Sequence, residues 1–453
     1  MRSIWAIAKN TIKQALRMKV AVVFILLLII LLPIMGSVMT GDGTLKGRLQ
    51  SFISYGLSLT SLLLCLLTIV VSTYSLTSDF EQKQIYTVLT KPVRRFQLLI
   101  GKLLGVILLD VALLVLFSAL IYSVSQYMPR FSKATEDERI QAKKEFYTAR
   151  ASLVPSDVDV SKEVREAYDR LKKSGRLPEG RSRQQVIKRL TKQKKIEKRA
   201  VSPGYELVWQ FEDVKPLDPN QSLFIRYKYD VSVNPPDLQV YGKWLVGDFR
   251  HYGVNIETPV YRRERKDLIR TFYEFEVPAD AVAKDGHLEV AFFNDSQLNN
   301  TVVIFPPKDG LEVLYKADTY TANFIKGVIL ILCRLLFLSC LGMLASSFLS
   351  FPVAILFCLA IFLTGTINGF ILESFDFMSA NISSVYHYTL KPVIQLLPQF
   401  DKFNPGKFLV PARLLQWLLL AKVAGIMVGI KAFLLLVVAL IIFSYREIAK
   451  ITV

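Results

Sequence analysis

Six apolar stretches, each about as long as the ~20 residues a helix needs to cross a hydrocarbon core, constrain this chain more than any other feature. They run from Val20 to Met39, Phe52 to Tyr74, Leu98 to Tyr122, Phe324 to Leu349, Pro352 to Leu372 and Val423 to Tyr445. A lipid-embedded backbone must satisfy its own N–H and C=O groups, so runs of this length are expected to be helices. The chain is 52% hydrophobic with a mean hydropathy of +0.36, yet 21% of its residues are charged. Both figures hold at once because the charge lies mostly between residues 130 and 320, with the greasy blocks on either side.

Short-loop lysines and arginines set the expected orientation. Arg2, Lys9, Lys13, Arg17 and Lys19 precede the first run. Lys83, Lys91, Arg94 and Arg95 lie between the second and third, Lys102 opens the third, and Arg446 and Lys450 follow the last. Only Lys46 and Arg48 lie between the first and second. This asymmetry predicts both termini and the loop at 76–97 in the cytoplasm, and residues 125–320 outside it. The sequence thus predicts an α-helical polytopic membrane protein of six transmembrane helices, N-in and C-in. It carries an inserted extracytoplasmic α+β domain containing a β-sandwich.

The expected organisation follows. Residues 1–19 form an interfacial amphipathic helix with Ile4, Trp5, Ala8, Ile12, Ala15 and Leu16 on one face. Residues 20–124 hold helices one to three. Residues 125–202 form a charged helical stalk with segments Ser161 to Ser174 and Ser182 to Arg199. Residues 203–320 form the sandwich: Leu223, Ile225, Tyr227, Tyr229, Val231 and Val233 alternate with polar or outward residues. Further strands are expected at Glu206–Phe211, Thr271–Val277, His287–Phe293, Thr301–Phe305 and Leu311–Tyr315. Residues 321–453 hold helices four to six, with Pro-broken re-entrant or interfacial helices at 373–421.

The formal net charge of +18 is read as a cytoplasmic-face excess plus a solvated basic surface, with anionic lipid head groups as the sharper alternative. A membrane-bound chain with its basic region across the bilayer is not expected to meet nucleic acid. The four cysteines, Cys65, Cys333, Cys340 and Cys358, all fall in apolar stretches and read as small buried hydrophobes. The first apolar run is long and lacks a small-residue cleavage site, so it is expected to be retained.

Catalytic motifs are missing where they would be expected. The Gly-Lys pairs at Gly101, Gly242 and Gly406 lack the Ser or Thr and the upstream glycine of a phosphate-binding loop. His251, His287 and His387 are scattered and read as ordinary surface or strand residues, so neither a metal site nor an intrinsic enzymatic activity is expected.

The informative segment is Ser78 to Gly105. A short amphipathic helix ends at Pro92, a basic turn follows, and Gly101-Lys102 opens the third run. A stiff charged knob below two spans can dock on a partner and transmit its movement. This segment resembles the coupling loop of ABC transporter permeases of the type-2, exporter class: Leu89, Pro92, Val93, Arg95, Gly101 and Lys102 match that pattern in order. The resemblance covers about residues 1–125 and 320–453, with the middle region an insertion. It implies a bacterial inner-membrane permease subunit that binds no cofactor itself and borrows ATP through a cytoplasmic ATPase subunit. That subunit would engage Asp79, Glu81, Leu89, Lys91, Pro92, Val93, Arg94, Arg95, Gly101 and Lys102. The resemblance also implies a second permease copy or paralogue, and export or extraction of a substrate. The alternative is a mechanotransmitting or scaffold protein whose outer domain acts on a protein, lipid or glycan without a transport path.

Inside the spans, Asp110 and Arg334 are expected to form an intramembrane charge pair, since buried charge is costly and tends to mark function. Lys431 reads as a snorkelling or cavity residue. The pairs Gly365/Gly369 and Gly425/Gly429 permit close helix contact, expected within one chain rather than between copies.

Overall fold

The computed structural model describes residues 2–81, 94–132, 134–175, 183–215, 221–250, 258–307, 309–376 and 397–445. The chain forms two compact units, one from residues 1–148, 320–378 and 383–453, the other built on residues 149–319.

The first unit is helical. Its elements are α1 (Arg2–Arg17), α2 (Lys19–Val38), α3 (Leu45–Glu81), α4 (Arg95–Phe131) and α5 (Glu136–Glu145). After the second unit, which holds α6 (Ser161–Lys173) and α7 (Arg183–Glu197), come α8 (Tyr320–Phe348), α9 (Phe351–Asp376), the short α10 (Gly406–Leu409) and α11 (Trp417–Ala424). A π-helical stretch (Gly425–Ala432) joins α11 to α12 (Phe433–Tyr445). Six of these helical stretches are long and apolar enough to cross a membrane, as the hydropathy predicts. Several are longer than the apolar runs: α3 and α4 each have 37 residues, about 55 Å at ~1.5 Å per residue. Hydropathy marks only the part that lipid requires, whereas helical hydrogen bonding continues past it.

The interior is unevenly shared. α3 and α8 lie at the centre: Leu57, Leu64, Leu67, Ile69 and Val71 of α3 and Ile331, Leu335, Leu338, Leu341 and Met343 of α8 are buried in one core. α2 and α12 instead expose Val23, Ile30, Phe433, Leu434 and Ile441, as lipid-facing helices do. Gly342 of α8 packs against α3 so closely that an added Cβ would lie 1.9 Å from Ser72 Oγ.

An aromatic cluster joins the ends of α4, α5 and α8. The Tyr122 and Tyr320 rings stack 5.9 Å apart, and Phe146, Tyr147 and Phe324 pack around them. The Tyr122 and Thr321 hydroxyls lie 2.7 Å apart. Tyr and Trp belts of this kind are characteristic of membrane–water boundaries.

The segment expected to form interfacial helices over Phe408–Leu420 is different. Only Gly406–Leu409 is a separate helix, and Trp417–Tyr445 is one continuous span. The irregular backbone between them is held by polar side chains, which satisfy its buried N–H and C=O groups. Asn323 Nδ2 donates to Arg413 O at 2.8 Å, Leu415 N donates to Asn323 Oδ1 at 2.8 Å, and Gln50 Nε2 donates to Val410 O at 2.9 Å. The expected helix over Val385–Phe400 lies outside the described residues as far as 396, and 397–400 are not helical.

The second unit is strand-rich. One sheet has the order β1-β11-β4-β8, a small one β2-β10-β5, and a third β3-β9-β6-β7. The strands are β1 (Thr148–Leu153), β2 (Ala200–Val201), β3 (Glu206–Phe211), β4 (Ser222–Tyr227), β5 (Asp230–Val231), β6 (Gln239–Gly247), β7 (Tyr261–Leu268), β8 (Tyr273–Pro278), β9 (Leu288–Asn294), β10 (Val303–Ile304) and β11 (Leu311–Thr319). Pairings such as β4 with β8 and β6 with β9 are antiparallel. Alternate residues of both four-stranded sheets meet in one core: Leu223, Ile225 and Tyr227 of β4 with Trp244, Val246, Val290 and Phe292 of β6 and β9. Trp209 and Trp244 stack inside it. The charged helices α6 and α7 fold with this sheet-bearing unit, whereas residues 125–148 belong to the helical one. Strand β11 passes into α8 with no residue between them.

Candidate functional site

At one end of the helical unit, α1, the end of α3, the start of α4 and the end of α12 come together. The sequence singled out the loop between α3 and α4 as the working part. Of its residues, Leu89, Lys91, Pro92 and Val93 lie outside the described residues, and Glu81 is the last residue of α3. Asp79, Arg94, Arg95, Gly101 and Lys102 are described, and each has a specific neighbour.

Lys102 Nζ lies 2.6 Å from Asp79 Oδ2, with the two side chains 4% and 11% exposed. The same ammonium donates to Ser75 O. A cation from the first turns of α4 is thus closed on an anion from the last turn of α3. Both ions leave water, so their mutual attraction and the added carbonyl must offset desolvation. The pair pins the two helix ends that flank the 82–93 segment.

Gly101 and Gly105 serve another neighbour. A Cβ at Gly101 would lie 2.9 Å from Ile7 Cβ and Cγ2, and one at Gly105 would lie 2.7 Å from Ala8 O and Thr11 Cβ. One turn apart on α4, the two glycines form a groove in which α1 rests. The face of α1 that fills it consists of Ala8, Thr11 and Ala15, all buried, whereas Trp5 and Leu16 are exposed. The amphipathic face expected from the sequence therefore divides: Ala8, Thr11 and Ala15 are buried against protein, Ile7 and Ile12 are half-buried against the core, and Trp5 and Leu16 face outward. Gln14 Nε2 also donates to Ser78 Oγ at 2.8 Å, beside Asp79.

Arg95 Nη1 donates to Ser444 O at 2.7 Å and lies 3.4 Å from Phe443 O. A guanidinium at the free carbonyls of a helix C-terminus is favourable on both hydrogen-bonding and dipole grounds. The Arg94 backbone N–H donates to Gln97 Oε1 at 3.1 Å, closing the first turn of α4. The expected role of Arg95 as part of a basic docking turn is thus modified: Arg95 ties the last span to the third.

The expected ion pair between Asp110 and Arg334 does not form. Asp110 is buried and accepts from the Thr68 hydroxyl at 2.9 Å and the Ser339 hydroxyl at 3.1 Å. Arg334 donates to Ser61 Oγ at 3.1 Å and Phe400 O at 2.9 Å, and its guanidinium lies 5.0 Å from the Phe400 ring centre. The reason is axial level. Thr68 and Ser61 are seven residues apart on α3, about 10 Å of helix, so the two charges sit about two turns apart and recruit hydroxyls instead.

The α3 partners form two interleaved sevenfold series, Ser61, Thr68, Ser75 and Cys65, Ser72, Asp79, all buried. This polar seam runs down the inner face of α3 from Arg334 past Asp110 to Lys102. Such spacing was readable in the sequence and was missed. Gly365 and Gly369 pack against the 398–401 segment, and Lys431 Nζ donates to Leu397 O at 3.0 Å. Gly425 and Gly429 have no described atom within 4 Å of an added Cβ, contrary to their expected use within one chain.

Residues 5–151 match the family model described as ABC-2 family transporter protein. The chain therefore carries an ABC-2 transporter permease segment. The match runs from α1 through α5 into β1 and includes the Asp79–Lys102 pair, the α1 groove and Asp110. No curated protein and no solved structure matches the chain.

Proposed function

We propose that this ABC-2 permease couples to a separate cytoplasmic ATPase at the end of the helical unit where α1, α3, α4 and α12 meet. The carrying observation is the buried Asp79–Lys102 pair, set at the two helix ends that bracket the resemblance to a coupling loop. A push on the 82–93 segment loads α3 and α4 together, since the pair resists their separation. α1 moves with α4 through the Gly101/Gly105 groove, and α12 moves with it through Arg95. α3 and α8 then carry the displacement along the bilayer normal. The basic residues at this end support a cytoplasmic placement in an inner membrane, with the strand-rich unit, read as a β-sandwich, outside.

A second copy or paralogue completes the transporter in this reading, and the open Gly425/Gly429 face of the last span is where we place it. The substrate path belongs between the two copies. Within one chain the centre is filled by Leu, Ile and Phe side chains, and its buried charges are engaged by hydroxyls, carbonyls or each other.

The mechanotransmitting reading is supported by a separate observation: β11 enters α8 directly, and the Tyr122–Tyr320–Tyr147 cluster stiffens the end of α8. In that version the outer unit does the work and no substrate crosses.

The deciding experiment is purification of the full-length chain with its ATPase, followed by ATPase assays in lipid nanodiscs. The proposal expects a stable complex whose hydrolysis responds to substitutions at Asp79 and Lys102. Failure of any nucleotide-hydrolysing subunit to associate contradicts it.

A further inference from the structure

In the strand-rich unit a second cluster of buried charge stands apart from everything described above. His287 and Glu289 are two residues apart at the start of β9 and flank Leu288, whose side chain enters the core. They therefore share the opposite face of the sheet. Gly247, the last residue of β6, pairs with Glu289 in the register, which brings the next residue, Asp248, to the same corner. Ligand atoms of Asp248, His287 and Glu289 all lie within 4.8 Å of one another.

Three features point to a ligand there. His287 is 8% exposed, and its Nε2 has no hydrogen-bond partner among the described residues, although nearly all buried polar atoms have one. That nitrogen lies 3.5 Å from Glu289 Oε1. Two ligands held ~2.0–2.1 Å from a tetrahedral ion are separated by about 3.3 Å, so the spacing is that of a coordination edge. Finally, the carboxylates of Asp248, Asp285 and Glu289 gather at this corner around Arg250, in a chain whose formal charge is +18.

The carboxylates are also held in place. Gln210 Nε2 donates to Glu289 Oε1 at 2.9 Å, and Phe249 N donates to Glu289 Oε2 at 3.0 Å. Arg250 Nε donates to Asp248 Oδ1 at 2.9 Å and Nη2 to Oδ2 at 2.7 Å. The Arg250 backbone N–H also donates to Oδ1, at 3.1 Å. Arg250 Nη1 donates to Asp285 Oδ2 at 2.7 Å. A carboxylate has about four lone-pair sites, and Asp248 Oδ2 keeps one free of this fork. Partners that orient ligating carboxylates in this way are typical of metal sites.

We propose that Asp248, His287 Nε2 and Glu289 bind one divalent transition-metal ion of the zinc class. One imidazole with two carboxylates suits Zn2+, Fe2+ or Mn2+; Ca2+ and Mg2+ prefer shells made of oxygen alone. Three protein ligands leave one position for water. The ion would tie the end of β6 to the start of β9 in a unit that contains no cysteine and hence no disulfide. In the sequence His287 reads as an ordinary strand residue, because Asp248 is far from it along the chain, with β7 and β8 between them.

The test uses the full-length chain in detergent, stripped with chelator and titrated with Zn2+ by calorimetry. One equivalent is expected per chain, weakened at least tenfold in His287→Gln and in Glu289→Gln and unchanged in Asp295→Asn, a carboxylate outside the corner. Excess Mg2+ should not compete. Absence of saturable binding, or equal binding by His287→Gln, overturns the proposal. Should the variants fail to fold, X-ray absorption of the zinc-loaded wild-type chain decides. A shell containing one imidazole is expected, and an all-oxygen or multi-histidine shell refutes the assignment.

Discussion

Two of the places where the helical unit buries charge handle it differently. Where α3 and α4 end, Lys102 closes on Asp79 at 2.6 Å. In the middle of the unit Asp110 and Arg334 never meet and are served by the hydroxyls of Thr68, Ser339 and Ser61 and the carbonyl of Phe400. The first arrangement joins two helix ends. The second links α4 to α3 and α8 through Asp110, and α8 to α3 through Arg334, by hydrogen bonds from each charge to neutral groups. Opposite charges in a membrane bundle thus pair only where helix levels coincide; elsewhere small polar side chains suffice.

That contrast can be broken at its strongest point first. Lys102→Ala leaves Asp79 buried and unpaired, and removal of one partner of a buried pair costs about 3–5 kcal/mol. Reversible unfolding of the purified chain should show that loss, with a smaller one for the double variant Asp79→Asn/Lys102→Met. Next, Gly105→Ala places a methyl group against Ala8 and Thr11 and should cost about 1–3 kcal/mol by overpacking. Protease access to α1 should rise in step. Third, a double-mutant cycle between Asp110→Asn and Arg334→Gln should give a coupling energy below about 0.5 kcal/mol, as for sites without shared partners. A coupling of several kcal/mol would mean that the two charges interact after all. The smallest effect is expected at Gly429→Ala, whose methyl meets no described atom within 4 Å and favours the helix by under ~1 kcal/mol in the isolated chain. Larger residues there should lower the dimer fraction measured by mass photometry.

Much of this was legible. The spans follow from hydropathy, because lipid permits little else. Asp79, Gly101 and Lys102 were each marked by the resemblance, but their geometry was not: a pair bridging 23 residues across a turn has no periodic signature. The division of the α1 surface was hidden because Ala8 and Ala15 count as apolar whether they face lipid or protein. The seam at Ser61, Thr68, Ser75 and Cys65, Ser72, Asp79 was present as a sevenfold spacing inside a greasy run. Among the strands, β3 was recovered to the residue, whereas β7 was missed. Its Arg262, Arg263, Glu264, Arg265 and Lys266 show no apolar alternation, as expected for an edge strand that uses charge to prevent further pairing. β6 has the buried series Val240, Trp244 and Val246, but Gly242 and Lys243 interrupt it.

The account rests most heavily on the Asp79–Lys102 pair as the mechanical link between an ATPase and the spans. Substrate-dependent ATP hydrolysis by the reconstituted complex, measured for Asp79→Lys, Lys102→Asp and the two together, tests this directly. Each single variant should uncouple hydrolysis while the ATPase subunit stays bound, and the exchanged pair should restore a substantial part of the coupling. Full coupling in either single variant would contradict the assignment.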